Sequence, residues 1–128
     1  MSGEREVVVA SGAPAAIGPY SHAVRSGELL FCSGQIALHP DTGELISVSI
    51  EAQARRCLEN LEAVCAAAGT ELARALRITI YMIELEAFAE VNAVCAEFFA
   101  QAPPARATVG VAALPRGALV EIDAIVAL

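Results

Sequence analysis

Between residues 50 and 68 the apolar positions Ile50, Ala54, Cys57, Leu58, Leu61, Val64, Cys65 and Ala68 recur at spacings of three and four. That period puts them on one face of a helix. Ser49 can cap its N-terminus, Glu51 suits the positive end of its dipole, and Gly69 can end it in the left-handed conformation. On the wet side, Glu51–Arg55 and Arg55–Glu59 are spaced for i,i+4 pairs. A second amphipathic helix is predicted over about 87–101, with Phe88, Val91, Cys95, Phe98 and Phe99 inward, and Pro103-Pro104 stops it.

Short runs of apolar and β-branched residues predict the strands. Residues 5–9 make one, 20–25 and 28–35 a hairpin around Ser26-Gly27-Glu28, and 76–83, about 105–112 and 118–127 the rest. "APAAIGP" is a loop closed by Gly18-Pro19, and "HPDTGE" is a second turn. The order β-β-β-α-β-α-β-β predicts one α+β domain over residues 1–128, a mixed sheet with two helices packed on one face. In the last strand Val120, Ile122, Ala124 and Val126 alternate with Leu119, Glu121, Asp123 and Ile125, so neither face is wholly polar. A sheet face left bare by the helices would then be too apolar for a monomer, which predicts association with further copies.

Charge and composition narrow the chemistry. The net charge is −7, and all eight basic residues are arginine. Without lysine the chain cannot form a Schiff base with pyridoxal phosphate or a carbonyl substrate. The acidic balance argues against a nucleic-acid binder, which needs a basic stripe. Cys32, Cys57, Cys65 and Cys95 show no C-x-x-C spacing and lie among apolar neighbours, as reduced cysteines of a cytoplasmic protein do. Two histidines, His22 and His39, without metal-ligand spacing predict no metal site. No apolar run approaches the roughly 18 residues of a membrane span, and "MSGEREVVVA" lacks the apolar core of a secretory signal.

Arg106 raises the functional question. On the 105–112 strand it shares a face with Thr108 and Gly110. It reads either as a surface arginine or half of an ion pair, or as a clamp whose planar fork holds a carboxylate through two parallel hydrogen bonds. Glu121, one strand on, is the candidate acid or base, and reads equally as a solvated glutamate or the mate of Arg106. A hairpin turning near Pro115-Arg116-Gly117 would set the two about 17 Å apart. A site using both then needs another strand order or two subunits.

Six stretches in matching order carry a resemblance over nearly the whole chain: "APAAIGPYSHAV" (13–24), "LLFCSGQIAL" (29–38), "TGEL" (42–45), "EAQARRCLENLEAVCAAAG" (51–69), "VNAVCAEFF" (91–99) and "PPARATVGVAALPRGALVEIDAIVAL" (103–128). In these the chain resembles the reactive intermediate deaminase family, RidA/YjgF. The resemblance implies chorismate-mutase-like subunits in a homotrimer, helices outside, sheets facing a central barrel, and three sites in the clefts between subunits. It implies hydrolysis of reactive 2-imino acids, such as 2-iminobutanoate and 2-iminopropanoate, to 2-keto acids and ammonia, without cofactor or metal. These imines arise from enamines released by pyridoxal-dependent dehydratases, which makes the activity one of metabolite damage control.

Residue by residue, the resemblance implies that Arg106 grips the substrate carboxylate and Glu121 positions or activates the attacking water. Tyr20 would line the cleft and Asn92 add a polar group. Ser33 and Gly34 would form a turn whose backbone faces the ligand, and Thr108 would offer its N–H. His22, Ala107 and Cys95 depart from residues common in the family, and none touches the Arg–Glu pair. His22 reads as a neutral loop or strand residue, or as polar lining or a pH-sensitive contact. Two other readings compete. One is a non-catalytic sensor of small 2-keto acids, needing Arg106 but not Glu121. The other is an RNA-directed translation inhibitor, against which the charge weighs.

Overall fold

Ser49 Oγ accepts from the Ala52 N–H at 3.1 Å and caps α1, which spans Ile50–Ala67. Gly69 follows at φ +82, the left-handed residue that ends the helix. These coordinates are a computed structural model describing residues 4–128; Met1–Gly3, part of the stretch read above as no signal, lie outside the described residues. The second helix, α2, spans Phe88–Phe98, shorter than predicted because Phe99 already leaves helical geometry before the prolines are reached. Val91, Val94, Cys95 and Phe99 point into the core, but Phe88 is 41% exposed and does not. The Arg106 guanidinium stands 5.2 Å over its ring and holds it at the surface. Arg55 likewise departs from its predicted i,i+4 pairs. It reaches α2, where its Nη2 donates to both oxygens of Glu97 at 2.8 and 3.0 Å, a contact that Glu51 and Glu59 on its own helix do not receive.

The strands are β1 (Arg5–Val8), β2 (Ala23–Ser26), β3 (Leu29–Gln35), β4 (Ala75–Met82), β5 (Ala105–Gly110) and β6 (Val120–Ala127). They form one sheet in the order β1-β2-β3-β6-β4-β5. The predicted α+β architecture is therefore present. Gly27 at φ +60 makes the tight β2–β3 hairpin that bulkier residues would strain. β4 and β5 are parallel, which requires the crossover that α2 provides. β6 fills the gap between β3 and β4, antiparallel to both. Consequently β5 and β6 are not hairpin neighbours, and β4 separates them.

The two helices cover one face of the sheet. Val120, Ile122, Ala124 and Val126 of β6 and Ile78, Ile80 and Met82 of β4 are buried there beneath Leu58, Leu61, Val64 and Cys65 of α1. Each large side chain so buried contributes roughly 1.5–3 kcal/mol. All four cysteines are buried and free. The other face has no covering layer in a single chain. Val7, Val24, Phe31 and Ile125 are register partners across four strands and make an apolar row on it. Among the described residues, no helix is long and apolar enough to cross a membrane.

Candidate functional site

Arg106 pairs in register with Ile78, so it shares the helix-side face. It emerges where β5 passes α2, beside Phe88, Asn92 and Cys95. Arg106, Asn92 and Cys95, together with Phe99 and Pro103, bound a cleft of about 330 Å³. Among the described residues Arg106 pairs with no carboxylate, so its fork is open to a ligand. Cys95, read from the sequence as clear of the Arg–Glu pair, instead stands against its arginine: burial pushes the thiol up, an effect the adjacent guanidinium opposes. Thr108, two residues on and on the same face, buries its hydroxyl oxygen without a hydrogen-bond partner.

Glu121 lies elsewhere. It pairs with Tyr81, three residues along β4 from Ile78, and an odd step reverses the face. Its side chain is on the uncovered face, against Gly34. A Cβ at Gly34 would stand 2.9 Å from Glu121 Cδ, so glycine is the residue that admits the carboxylate. The β3–β6 register shifts between Cys32 and Gln35, so Ser33 and Gly34 sit at a bulge within β3 rather than in the expected turn. Ser33 is turned to the backbone: its N–H donates to the His22 carbonyl at 3.0 Å and its hydroxyl to the Ser21 carbonyl at 2.6 Å. Ile17 and Tyr20 close this second cleft, about 310 Å³, from the loop before β2. Tyr20 is half exposed, and its hydroxyl accepts from the Ile17 N–H at 3.3 Å.

Burial raises the Glu121 carboxyl above its ordinary range, and the Asp123 carboxylate raises it further. Asp123 accepts from the Tyr81 hydroxyl at 2.9 Å, which keeps its charge on that face. The carboxyl group of Glu121 is thereby tuned to exchange a proton nearer neutrality than a surface glutamate.

The residues singled out in the sequence thus divide in two. Arg106 and Asn92 meet beside α2, with Thr108 further along the same face of β5; Tyr20, Ser33, Gly34 and Glu121 gather on the opposite face. Three residues along β4 and two strands across separate Arg106 from Glu121 by about 14 Å at ordinary sheet spacings. Sequence reasoning missed Phe88 and Asp123 as neighbours of the two charged groups. Asp123 was legible, because a residue two positions from Glu121 on a strand shares its face.

A six-stranded mixed sheet backed by two helices, with an arginine cleft and a glutamate cleft on opposite faces, defines a small α+β protein with two separate clefts. The family described as "Endoribonuclease L-PSP" matches residues 10–128, and the chain belongs to this family, that of RidA/YjgF. "Protein DfrA" of Myxococcus xanthus is 51% identical over 123 residues, 94% of each chain. "2-iminobutanoate/2-iminopropanoate deaminase" of Mus musculus is 40% identical over 121 residues, covering 94% of this chain and 90% of the mouse protein. The solved structure of the E. coli YjgF gene product superposes with a TM-score of 0.91 at 39% identity, over 95% of this chain and 98% of that one.

Proposed function

We propose that this chain is a hydrolytic deaminase of small 2-imino acids, working as a homotrimer whose sites each join two subunits. The observation that carries this reading is the divided site: an unpaired arginine fork on one face and a raised glutamate on the other. The name of the mouse relative supports the substrate class. The apolar row Val7–Val24–Phe31–Ile125 on the uncovered face supports assembly.

Arg106 of one subunit holds the substrate carboxylate through two parallel hydrogen bonds. This points the imine carbon toward Glu121 of the neighbouring subunit, with a water between them. A protonated imine carbon is already electrophilic, so orientation and one proton-handling group suffice. Glu121 takes a proton from the water as its oxygen bonds to the carbon, leaving a carbinolamine. The same carboxyl returns the proton to nitrogen; as the C–N bond breaks the carboxylate takes the hydroxyl proton, and the 2-keto acid and ammonia depart, the ammonia carrying that proton away as ammonium. No covalent intermediate is needed, in keeping with a chain that has no lysine and buries every thiol. Net charge −7 weighs against the RNA-directed reading.

The test is a coupled assay in which a threonine dehydratase generates 2-iminobutanoate and semicarbazide traps what remains. Catalytic amounts of the wild-type protein lower semicarbazone formation, and Arg106→Ala does not. If the wild type changes nothing across several amino-acid precursors, Arg106 is a binding fork and the sensor reading replaces this one.

A further inference from the structure

Two side chains on α1 fit neither the apolar core nor a wet helix face. Gln53 is 2% exposed and Asn60 0%. Seven residues apart, they stand on one helix face two turns from each other. A buried amide is costly unless hydrogen-bonded, so its partners show what it does. Gln53 Oε1 accepts from the Leu119 N–H at 2.9 Å, and the Leu119 carbonyl accepts from the Ile83 N–H at 3.2 Å. The residue two before Glu121 is therefore held on both sides. Asn60 Nδ2 donates to the carbonyls of Ile36 and Leu38 at 3.3 and 3.1 Å, just beyond Gly34. Arg56 Nε donates to Asn60 Oδ1 at 3.0 Å and so fixes which way the amide faces. Between the two amides, Cys57 Sγ lies 3.7 Å from the Val120 carbonyl.

We propose that α1, through Gln53 and Asn60, sets the placement of Glu121 over Gly34, so that both amides are positioning residues for the glutamate half of the site. The groups they hold lie just past the ends of strands, Leu119 before β6 and Ile36 and Leu38 after β3. Those two strands carry Glu121 and Gly34 to their contact, across a bulge where the ladder register is broken. A sliding of one against the other would open that contact, and a single helix pinning both chains prevents it. Apolar residues would fill the same space without fixing either chain's position. The inference rests on the reading of Glu121 as the proton-handling group.

Gln53→Met keeps the volume and removes the acceptor; Gln53→Glu keeps an accepting oxygen. The Glu121 carboxyl is titrated by ¹³C NMR in wild type and Gln53→Met, and kcat and KM are measured for all three on 2-iminobutanoate. In Gln53→Met the Glu121 midpoint falls toward the ordinary carboxylate range as the group leaves its sheltered place. Its kcat falls about tenfold or more while KM stays within about twofold, since misplacement near 1 Å has effects of that order. Gln53→Glu recovers turnover. Wild-type titration and wild-type kcat in Gln53→Met overturn the proposal. Should that variant not fold, Gln53→Ser, which admits a water to the Leu119 N–H, takes the same two measurements. If the wild type itself turns over no imino acid, the deaminase reading falls, and the Glu121 titration alone decides whether Gln53 positions it.

Discussion

Arg106 and Glu121 face away from each other, level with Ile78 and Tyr81 of the strand between them and on opposite sides of the sheet. One subunit cannot bring both to a single small substrate. Two subunits can, if the glutamate cleft of one meets the arginine cleft of the next. Arg106→Ala and Glu121→Gln should each be inactive alone and recover activity when mixed under conditions of subunit exchange. In a closed ring of three, each mixed assembly holds one site with both wild-type residues. Random mixing in equal amounts then restores about a quarter of wild-type turnover. Mixed samples as inactive as either parent would show that no such shared site forms.

Glu121 has a second signature, in stability. Its carboxyl is raised in the folded state, so between the ordinary and the raised value the folded chain binds more protons than the unfolded one. Stability conferred by the protonated form is present at low pH and lost as pH rises through the folded value. Glu121→Gln removes that loss. The variant should unfold at a higher temperature than wild type at pH 7, and the difference should shrink as pH falls below the ordinary glutamate range. The group is half exposed, so the gain stays under about 1 kcal/mol. Turnover meanwhile drops about a hundredfold with little change in 2-keto acid affinity. Thermal melts from pH 3 to 8 would contradict this if the two proteins tracked each other throughout.

Gly34→Ala separates activity from stability. The added Cβ meets the end of the Glu121 side chain, which can rotate away, rather than fixed backbone. Stability should change by less than about 1 kcal/mol, within the range of tolerated substitutions. The displaced carboxylate no longer faces the site, and kcat should fall more than tenfold. A variant that folds and turns over normally would show that the close approach of Glu121 to Gly34 is incidental.

What could be read in advance follows from the range of the forces involved. α1 was legible because its period, its Ser49 cap and its Gly69 end are all local. The place of β6 was not. Alternation tells which residues share a face but not which strand pairs with which, and chain adjacency favoured a β5–β6 hairpin. Arg55 and Phe88 were misassigned for the same reason. Local spacing offered Arg55 two glutamates on its own helix, while its partner Glu97 lies 42 residues away. Helical period turned Phe88 inward, while Arg106 arrives from a later strand to cover it. Gln53 and Asn60 did carry a signal: amides at apolar positions of the helix period.

The uncovered sheet face gives a prediction about assembly. Phe31 is 43% exposed at the centre of the apolar row, with Val24 and Ile125 as its register partners. A charge there would be buried without a partner in any assembly that covers this face. Phe31→Asp should sediment as a monomer and lose turnover while keeping its helix content by circular dichroism, because the helix-side core is untouched. If it remains an oligomer with wild-type activity, the apolar row is not the contact.

His22 acts on the loop that carries Tyr20. Its ring is buried, with the Ala10 N–H donating to Nδ1 at 3.0 Å and Nε2 lying 2.7 Å from the Pro14 carbonyl. Nδ1 is therefore the bare nitrogen and Nε2 carries the proton, so one neutral ring clasps both ends of the segment 10–14. That segment leads into Ile17 and Tyr20, which wall the glutamate cleft. His22→Leu leaves the Ala10 N–H without its acceptor in an enclosed place, at a cost of about 1–3 kcal/mol. His22→Asn offers an oxygen near the position of Nδ1 and should recover most of that loss. Because the loop, not the acid, is disturbed, KM should rise in His22→Leu more than kcat falls. Urea unfolding of the three proteins, with kinetics on each, checks both halves, and a leucine variant as stable as wild type would remove the clasp.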